Sequence, residues 1–279
     1  MHIDKLTKEL GAKGIQARLE DISIMKNSVL CTGIRVVDPE HPEISPVVYY
    51  SSDETAEAIL ERIMTVISQP KPDFCMKRVC DRDYLMSHIY LAASRRDGER
   101  DGILVKPWLN LDLILKVAVA FDSDGQETGT VKVNRELLDA AGINEEGAWT
   151  QAFANTGDTV TFDNIAAVFG IAEEDLSIPM FIARANHNAD GSAAIAFPDA
   201  FGRFCRENSL DALYILPSST QELIVIPAAE APSEKEMVLM VEEINHTCVD
   251  PLIQLDPVVY RYLPEDNTLQ VVTDLGEEA

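Results

Sequence analysis

Two serines in a short polar insert are the residues of this chain best suited to covalent chemistry. Ser218 and Ser219 stand between two apolar runs in the stretch ALYILPSSTQELIVIP, residues 212–227. A serine becomes a nucleophile when a base lies within hydrogen-bond reach and amide donors face the developing oxyanion. His187 and His246 are the candidate bases, because imidazole titrates near neutral pH. Together these four residues would form the site of a serine-dependent hydrolase.

The residues around the serines favour a turn over a nucleophile. The strained elbow of many hydrolases has the pattern Gly-x-Ser-x-Gly, whereas Pro217 and Thr220 flank this pair. Proline presets a turn dihedral, and serine hydroxyls bind turn amides. His187 lies in a predicted turn and His246 at a predicted helix end, where a histidine commonly caps the last carbonyls. We therefore expect a structural turn and keep the hydrolase as the alternative.

The sequence carries no motif for a metal or a nucleotide. Its five histidines, at positions 2, 41, 88, 187 and 246, show no HxxxH or HxH spacing. Neither a P-loop nor a GxGxxG pattern occurs. The segment Asp122-Ser-Asp124-Gly125 is similar to the beginning of a calcium loop, but it lacks the third ligand and the closing glutamate. We predict no cofactor and no metal site.

The strong negative charge of the chain disfavours nucleic acids and anionic membranes as partners. The chain has 23 basic and 47 acidic residues, and residues 141–279 contain only five basic side chains against 24 acidic ones. Such a surface repels phosphate backbones and anionic membranes, which bind through lysine and arginine. The plain interpretation is solubility. The sharper interpretation is an acidic face that binds a basic protein or mimics nucleic acid.

The cysteines and the apolar stretches predict a cytoplasmic protein. Five cysteines, at 31, 75, 80, 205 and 248, are odd in number and form no CxxC motif, which is typical of a reducing compartment. The N-terminal sequence MHIDKLTKELGAKG has no apolar core of a signal peptide. Charged residues interrupt the most apolar stretch, 104–121, so we expect no membrane span.

Hydrophobic patterning predicts an α+β fold with a largely antiparallel sheet, built from hairpins with interspersed helices. The proline-rich bend Gln69-Pro70-Lys71-Pro72 separates an N-terminal strand–helix subdomain, residues 1–70, from a main α+β domain, residues 73–279. The two parts could also pack as one unit. Two short helices near 134–156 resemble a helix-turn-helix in outline. Because residues 143–170 contain no lysine or arginine, we assign them to packing rather than DNA binding.

Local signals place several individual elements. Helix starts are predicted at Ser51 and Ser233 from capping boxes with Glu54 and Glu236, and further helix starts at Asn134 and Asn144. Other predicted elements are a helix over 80–94, strands over 180–186 and 192–196, a helix from Pro198 to about 207, and central strands over 212–216 and 222–226.

Several stretches together resemble an uncharacterised bacterial family, a domain of unknown function common in anaerobic gut-type bacteria. They are residues 149–156, 183–198, 213–227 and 240–262, and they carry a Leu-Pro-Ser-Ser turn and an Asn-x-Thr…Val-Tyr-Arg-Tyr ending. The resemblance covers 140–270 well and the N-terminal part loosely. It implies a cytoplasmic protein of mixed α/β content and no defined chemistry. The family pattern after the serines is Ile-His-Glu, whereas this chain has Thr220 and Gln221 in place of Ile and His.

These observations favour a non-catalytic cytoplasmic protein with an acidic surface that binds or regulates a basic protein. They disfavour binding to nucleic acid or to membranes. A serine-dependent hydrolase is the alternative, and a nucleic-acid mimic is the second alternative.

Overall fold

The computed structural model describes residues 3–26, 29–38, 45–68, 76–96, 102–121, 127–172, 174, 176–186, 190–217 and 219–272. The chain divides into two compact units, Met1–Phe74 and Cys75–Ala279. Helices occur in both units, and the three sheets formed by the described residues are antiparallel, so the predicted α+β class is confirmed.

The first unit packs two helices with a three-stranded sheet. Its elements are α1 (Ile3–Ala12), β1 (Arg18–Lys26), β2 (Val29–Val37), β3 (Val47–Tyr49) and α2 (Ala56–Ser68). The sheet order is β1-β2-β3. The core is built from aliphatic side chains of all five elements: Leu6, Leu10, Leu19, Ile34, Val36, Val48, Ile59, Leu60 and Ile63.

The predicted start of α2 at Ser51 is wrong, although the residues of its capping box do interact. The Ser51 amide donates to Glu54 Oε2 at 2.9 Å, and the Glu54 amide donates to the Ser51 carbonyl at 3.2 Å. These two bonds close a turn, and the helix begins only at Ala56. The Ala58 amide instead donates to Thr55 Oγ1 at 3.3 Å, so a later side chain caps the helix.

The second unit begins with helices around a four-stranded sheet. Its elements to this point are α3 (Met76–Val79), α4 (Arg82–His88), β4 (Ile89–Arg95), β5 (Val105–Trp108), β6 (Leu111–Phe121), β7 (Glu127–Lys132), α5 (Arg135–Ala140) and α6 (Glu145–Gly157). The long strand β6 pairs with β4, β5 and β7. The helix predicted over 80–94 ends at His88, because residues 89–95 pair along their whole length with β6 and are mostly buried.

The predicted helix caps at α5 and α6 are confirmed. Asn134 Oδ1 accepts from the Leu137 amide at 2.8 Å, and Asn144 Oδ1 accepts from the Gly147 amide at 2.7 Å. Gly142 follows α5 with a φ of 65°, in the left-handed region that favours glycine.

The rest of the second unit forms a six-stranded sheet with helices between its strands. The elements are β8 (Thr161–Asn164), α7 (Ile165–Phe169), β9 (Phe181–Arg184), a 3-10 helix (Gly191–Ala196), α8 (Pro198–Asn208), β10 (Leu213–Leu216), β11 (Leu223–Pro227), α9 (Glu234–Thr247), β12 (Val259–Leu263) and β13 (Thr268–Val272). The strand order is β13-β12-β10-β11-β9-β8. Strands β10 and β11 lie in its centre, as predicted.

The strand predicted over 192–196 is wrong. These residues belong to the 3-10 helix Gly191–Ala196. A Cβ atom at Gly191 would collide with the carbonyl oxygen of Gln221, so this backbone lies directly against the serine-containing turn. All six residues of the helix are buried, and five are alanine, glycine or serine. Small side chains that are weak strand formers allow this close approach.

Candidate functional site

Ser219 is a buried residue of the turn between β10 and β11. It is 6% exposed and forms an isolated antiparallel bridge with Gln254. Its Oγ accepts a hydrogen bond from the Gln221 amide at 3.2 Å, the serine-to-turn-amide bond typical of such loops. Ser218 lies outside the described residues. The contacts of Ser219 therefore hold the turn.

The candidate bases do not complete a nucleophile–base pair among the described residues. His246 is exposed in the last turn of α9, and no hydrogen bond joins it to Ser219. A histidine at that position can interact with the free carbonyls of the helix end. His187 lies outside the described residues, so the pairing of His187 with Ser218 stays a prediction.

Side chains that bind metals do not cluster in the described part of the chain, where no group of three His, Cys, Asp or Glu residues could hold an ion. The calcium-loop-like segment 122–125 lies outside the described residues, as does Cys75. Cys31 and Cys205 are buried free thiols. Burial raises the pKa of the Cys205 thiol to about 11, which makes it a poor nucleophile at neutral pH.

A largely buried ion pair joins the four-stranded sheet of the second unit to the residue that precedes the 3-10 helix. Lys116 on β6 and Tyr90 on β4 are direct cross-strand partners. Lys116 Nζ lies 2.7 and 2.8 Å from the two carboxylate oxygens of Asp190, and the Tyr90 hydroxyl donates to Asp190 Oδ2 at 3.1 Å. Asp190 immediately precedes the 3-10 helix and is 5% exposed. The hydrogen bonds from the Lys116 ammonium group and the Tyr90 hydroxyl offset the cost of burying the Asp190 carboxylate.

Side chains from distant segments also bind the backbone of β4, an edge strand of its sheet. Thr156 Oγ1 accepts from the Leu91 amide at 2.9 Å, and Asn186 Nδ2 donates to the Leu91 carbonyl at 2.8 Å. Asn155 Nδ2 donates to the Ile89 carbonyl at 2.7 Å. Edge strands carry backbone groups that need partners when buried. The Asn155–Thr156 pair, part of the family resemblance, therefore has a structural role.

The 3-10 helix is tied to the serine-containing turn. Ser192 donates to the Thr220 carbonyl through its backbone amide at 3.2 Å and through its hydroxyl at 2.9 Å. The Thr220 amide donates in turn to the Ile253 carbonyl at 2.7 Å. The three stretches 183–198, 213–227 and 240–262 are thus hydrogen-bonded to one another, and their polar residues position backbone segments.

The sequence did not reveal the network of Tyr90, Lys116 and Asp190, nor the hydrogen bond from Asn186 to the Leu91 carbonyl. One signal was available: Lys116 is a cation within β6, a largely apolar and buried strand, where a charged side chain requires a partner. Asp190 looked like an ordinary Asp-Gly turn residue, and only the tertiary structure brings it to Lys116. Because the carboxylate of Asp190 is already engaged by Lys116 and Tyr90, we assign the network to the scaffold.

Three exposed apolar side chains lie close together in the sequence at the end of α7. Val168, Phe169 and Ile171 are 43%, 67% and 45% exposed, at the end of α7 and just beyond it. We call these three residues the apolar ridge. Single exposed apolar residues are common, whereas adjacent ones with polar surroundings mark interaction sites.

The backbone around the ridge is held by caps at both ends of α7. Asn164 Oδ1 accepts from the Ala166 amide at 2.8 Å and so begins the helix. Gly170 has a φ of 66° and ends it. The amides of Gly170 and Ile171 both donate to the Ala166 carbonyl, a left-handed helix end that turns Ile171 back beside the helix.

The segment that contains the ridge is acidic throughout. Residues 136–183 include nine aspartates and glutamates and no lysine, arginine or histidine. Asp158, Asp163 and Glu174 are exposed members of this set. The described carboxylates closest to the ridge in the sequence are Asp163, just before α7, and Glu174, three residues after Ile171, and both are exposed.

The acidic excess of the second half lies on the surface. Among the described residues after 141, fifteen acidic side chains are exposed, against four exposed basic ones. The basic ones are Arg203, Arg206, Lys235 and Arg261. None of the helices in the described part of the chain is both long and apolar enough to cross a bilayer.

Comparison with known proteins supports the family resemblance seen in the sequence. No curated protein and no solved structure matches the chain. A family model does match, and it covers residues 3–263, so the similarity extends into the N-terminal unit, where the motifs matched only loosely. The chain belongs to the family of unknown function DUF5688.

Proposed function

We propose that this chain is a non-catalytic cytoplasmic protein that binds or regulates a basic partner protein through its acidic surface. The observation that carries the proposal is the excess of exposed carboxylates, fifteen against four exposed cations, in the described residues after 141. Surface charge of one sign accelerates association with an oppositely charged partner and disfavours partners of the same sign. It also disfavours nucleic acids and anionic membranes.

Two further observations support the proposal. The hydroxyl of Ser219 is used within its own turn, which weighs against a serine nucleophile there. The cysteines in the described residues, Cys31, Cys80, Cys205 and Cys248, are all free thiols, as expected in a reducing compartment.

The test is capture of partners from a lysate of the native host with the full chain as bait, at low and high salt. We expect a near-stoichiometric basic protein that binds at about 0.05 M salt and is released at about 0.5 M, because ions screen exposed charges. A charge-reduced bait, Glu242→Gln with Glu243→Gln on the exposed side of α9, should retain less of it. Capture that is insensitive to salt would contradict the electrostatic basis, and no capture at either salt would contradict the function.

A further inference from the structure

The apolar ridge and the carboxylates near it are complementary to one kind of partner. The following inference rests on the proposed function and names the surface and the partner chemistry. Phe169 contributes most to the ridge, since 67% of its surface is exposed. Burying an aromatic side chain of this size in a partner releases a large apolar area from water, the main favourable contribution to most protein association.

Hydrogen bonds hold the backbone of the ridge. The cap from Asn164 and the left-handed turn at Gly170 fix the backbone on both sides of Val168 and Phe169. A binding surface held by its own hydrogen bonds loses little backbone entropy when a partner docks. The Ile171 amide donates a hydrogen bond to the Ala166 carbonyl at 3.0 Å, which keeps Ile171 close to the end of the helix.

Charge then decides which occupant fits. A second copy of this chain, docked ridge to ridge, would bring its exposed Asp163 and Glu174 towards the same carboxylates of the first copy. Like charges placed opposite each other in an interface are unfavourable. A partner segment with an apolar centre flanked by lysine or arginine would cover the ridge with its apolar side chains and pair its cations with the nearby carboxylates.

We propose that the apolar ridge docks a segment of a partner protein in which aromatic or aliphatic anchors are flanked by lysine or arginine. The anchors cover Val168, Phe169 and Ile171, and the flanking cations lie near carboxylates such as Asp163 and Glu174. Binding of this kind depends on apolar area for affinity and on charge for specificity.

Three synthetic peptides test the proposal by fluorescence anisotropy with the full chain. The first has a Leu-Val-Phe-Leu centre between two Lys-Arg pairs, the second has the same centre between glutamates, and the third has a Ser-Gly centre between Lys-Arg pairs. We expect the first peptide to bind at least about tenfold more tightly than either control. Equal binding of the first and third peptides would overturn the role of the ridge.

Two matched variants locate the binding surface. Phe169→Ser should weaken binding of the first peptide about tenfold, whereas Leu30→Ser should leave it unchanged. Leu30 is similarly exposed, at 65%, but belongs to the other compact unit. Because both side chains are exposed, both variants should keep the melting temperature of the parent chain, which scanning calorimetry checks.

The outcomes separate this inference from the proposed function. If Phe169→Ser binds the first peptide as well as the parent does, the ridge is not the docking site. Salt-sensitive capture of a basic partner by that variant would then leave the proposed function standing. If sedimentation shows that the parent chain self-associates and Phe169→Ser does not, the ridge is an interface between copies and the proposal is overturned.

Discussion

Lys116 Nζ lies 2.7 and 2.8 Å from the two carboxylate oxygens of Asp190, 74 residues further along the chain. The two side chains are 19% and 7% exposed, so the pair is largely removed from solvent. Tyr90, the cross-strand partner of Lys116, donates to the same carboxylate. This contact attaches the 3-10 helix Gly191–Ala196 to the four-stranded sheet and positions the segment that precedes it.

Removing one member of this pair should strongly destabilise the fold. Lys116→Met keeps the apolar stem but leaves the Asp190 carboxylate buried without its cation. We expect the free energy of unfolding to fall by about 3 kcal/mol, measured by urea denaturation of the full chain. Arg135→Met is the control, because its ion pair with Glu145 is exposed and should be worth less than about 1 kcal/mol. Equal losses in the two variants would show that the Lys116–Asp190 pair does not have this role.

The hydroxyl of Thr156 should matter through the backbone of β4. Thr156→Val conserves shape and removes the acceptor of the Leu91 amide, which then lacks a partner in a buried environment. We expect a loss of about 1–3 kcal/mol in the free energy of unfolding. Thr150→Val, on the same helix, removes an exposed hydroxyl that bonds only within α6, so its effect should be within about 0.5 kcal/mol. An unchanged free energy of unfolding in Thr156→Val would contradict a stabilising hydrogen bond between the Leu91 amide and the Thr156 hydroxyl.

The serine turn should be chemically inert. Incubation of the full chain with a serine-reactive fluorophosphonate should produce no adduct, because the Ser219 hydroxyl is buried and engaged in its turn. Mass spectrometry of the intact protein measures the labelling. Labelling of the parent that disappears in Ser218→Ala or in Ser219→Ala would restore the hydrolase hypothesis and identify the nucleophile.

Cys205 should be protected in the folded protein and should make stability depend on alkaline pH. Burial raises the pKa of its thiol from 9.0 to about 11, so the folded state keeps the proton longer than the unfolded state does. Its contribution to stability is therefore complete below pH 9 and is lost as the pH rises towards 11. Iodoacetamide at about pH 8 should modify the exposed Cys248 and spare Cys205, as read by peptide mass spectrometry. Equal rates of modification would contradict the burial of Cys205.

The same alkaline dependence can be measured directly. Urea unfolding of the parent and of Cys205→Ala should show a difference in stability that narrows as the pH rises from 9 to about 11. A difference that stays constant over this interval would mean that the Cys205 thiol ionises equally in the folded and unfolded states.

Features that depend on residues three or four positions apart could be predicted from the sequence. The caps at Asn134 and Asn144 and the capping box of Ser233 with Glu236 are all present. The left-handed glycine at Gly142 is present as well. Such signals succeed because the donor, the acceptor and the intervening backbone belong to one short segment.

Local patterns predicted the wrong element where contacts with distant segments determine the backbone conformation. Residues 89–95 continue a helical pattern but pair with β6, and residues 192–196 have an extended pattern but pack as a 3-10 helix against the serine turn. Hydrophobic patterning did predict the α+β class, and the acidic excess of the second half is directly visible in the sequence. They could not show that Val168, Phe169 and Ile171 lie uncovered, because an apolar run has the same pattern whether it is buried or exposed.

The sequence alone determined the fold class, the helix caps and the net charge, since these follow from composition and local spacing. Only the tertiary structure decided that Asp190 meets Lys116, that Asn155, Thr156 and Asn186 bind the backbone of β4, and that Phe169 faces solvent. These contacts join residues 65 to 95 positions apart. They form because burial of the surrounding apolar strands forces distant polar groups to find partners, and no local pattern records which partner each one finds.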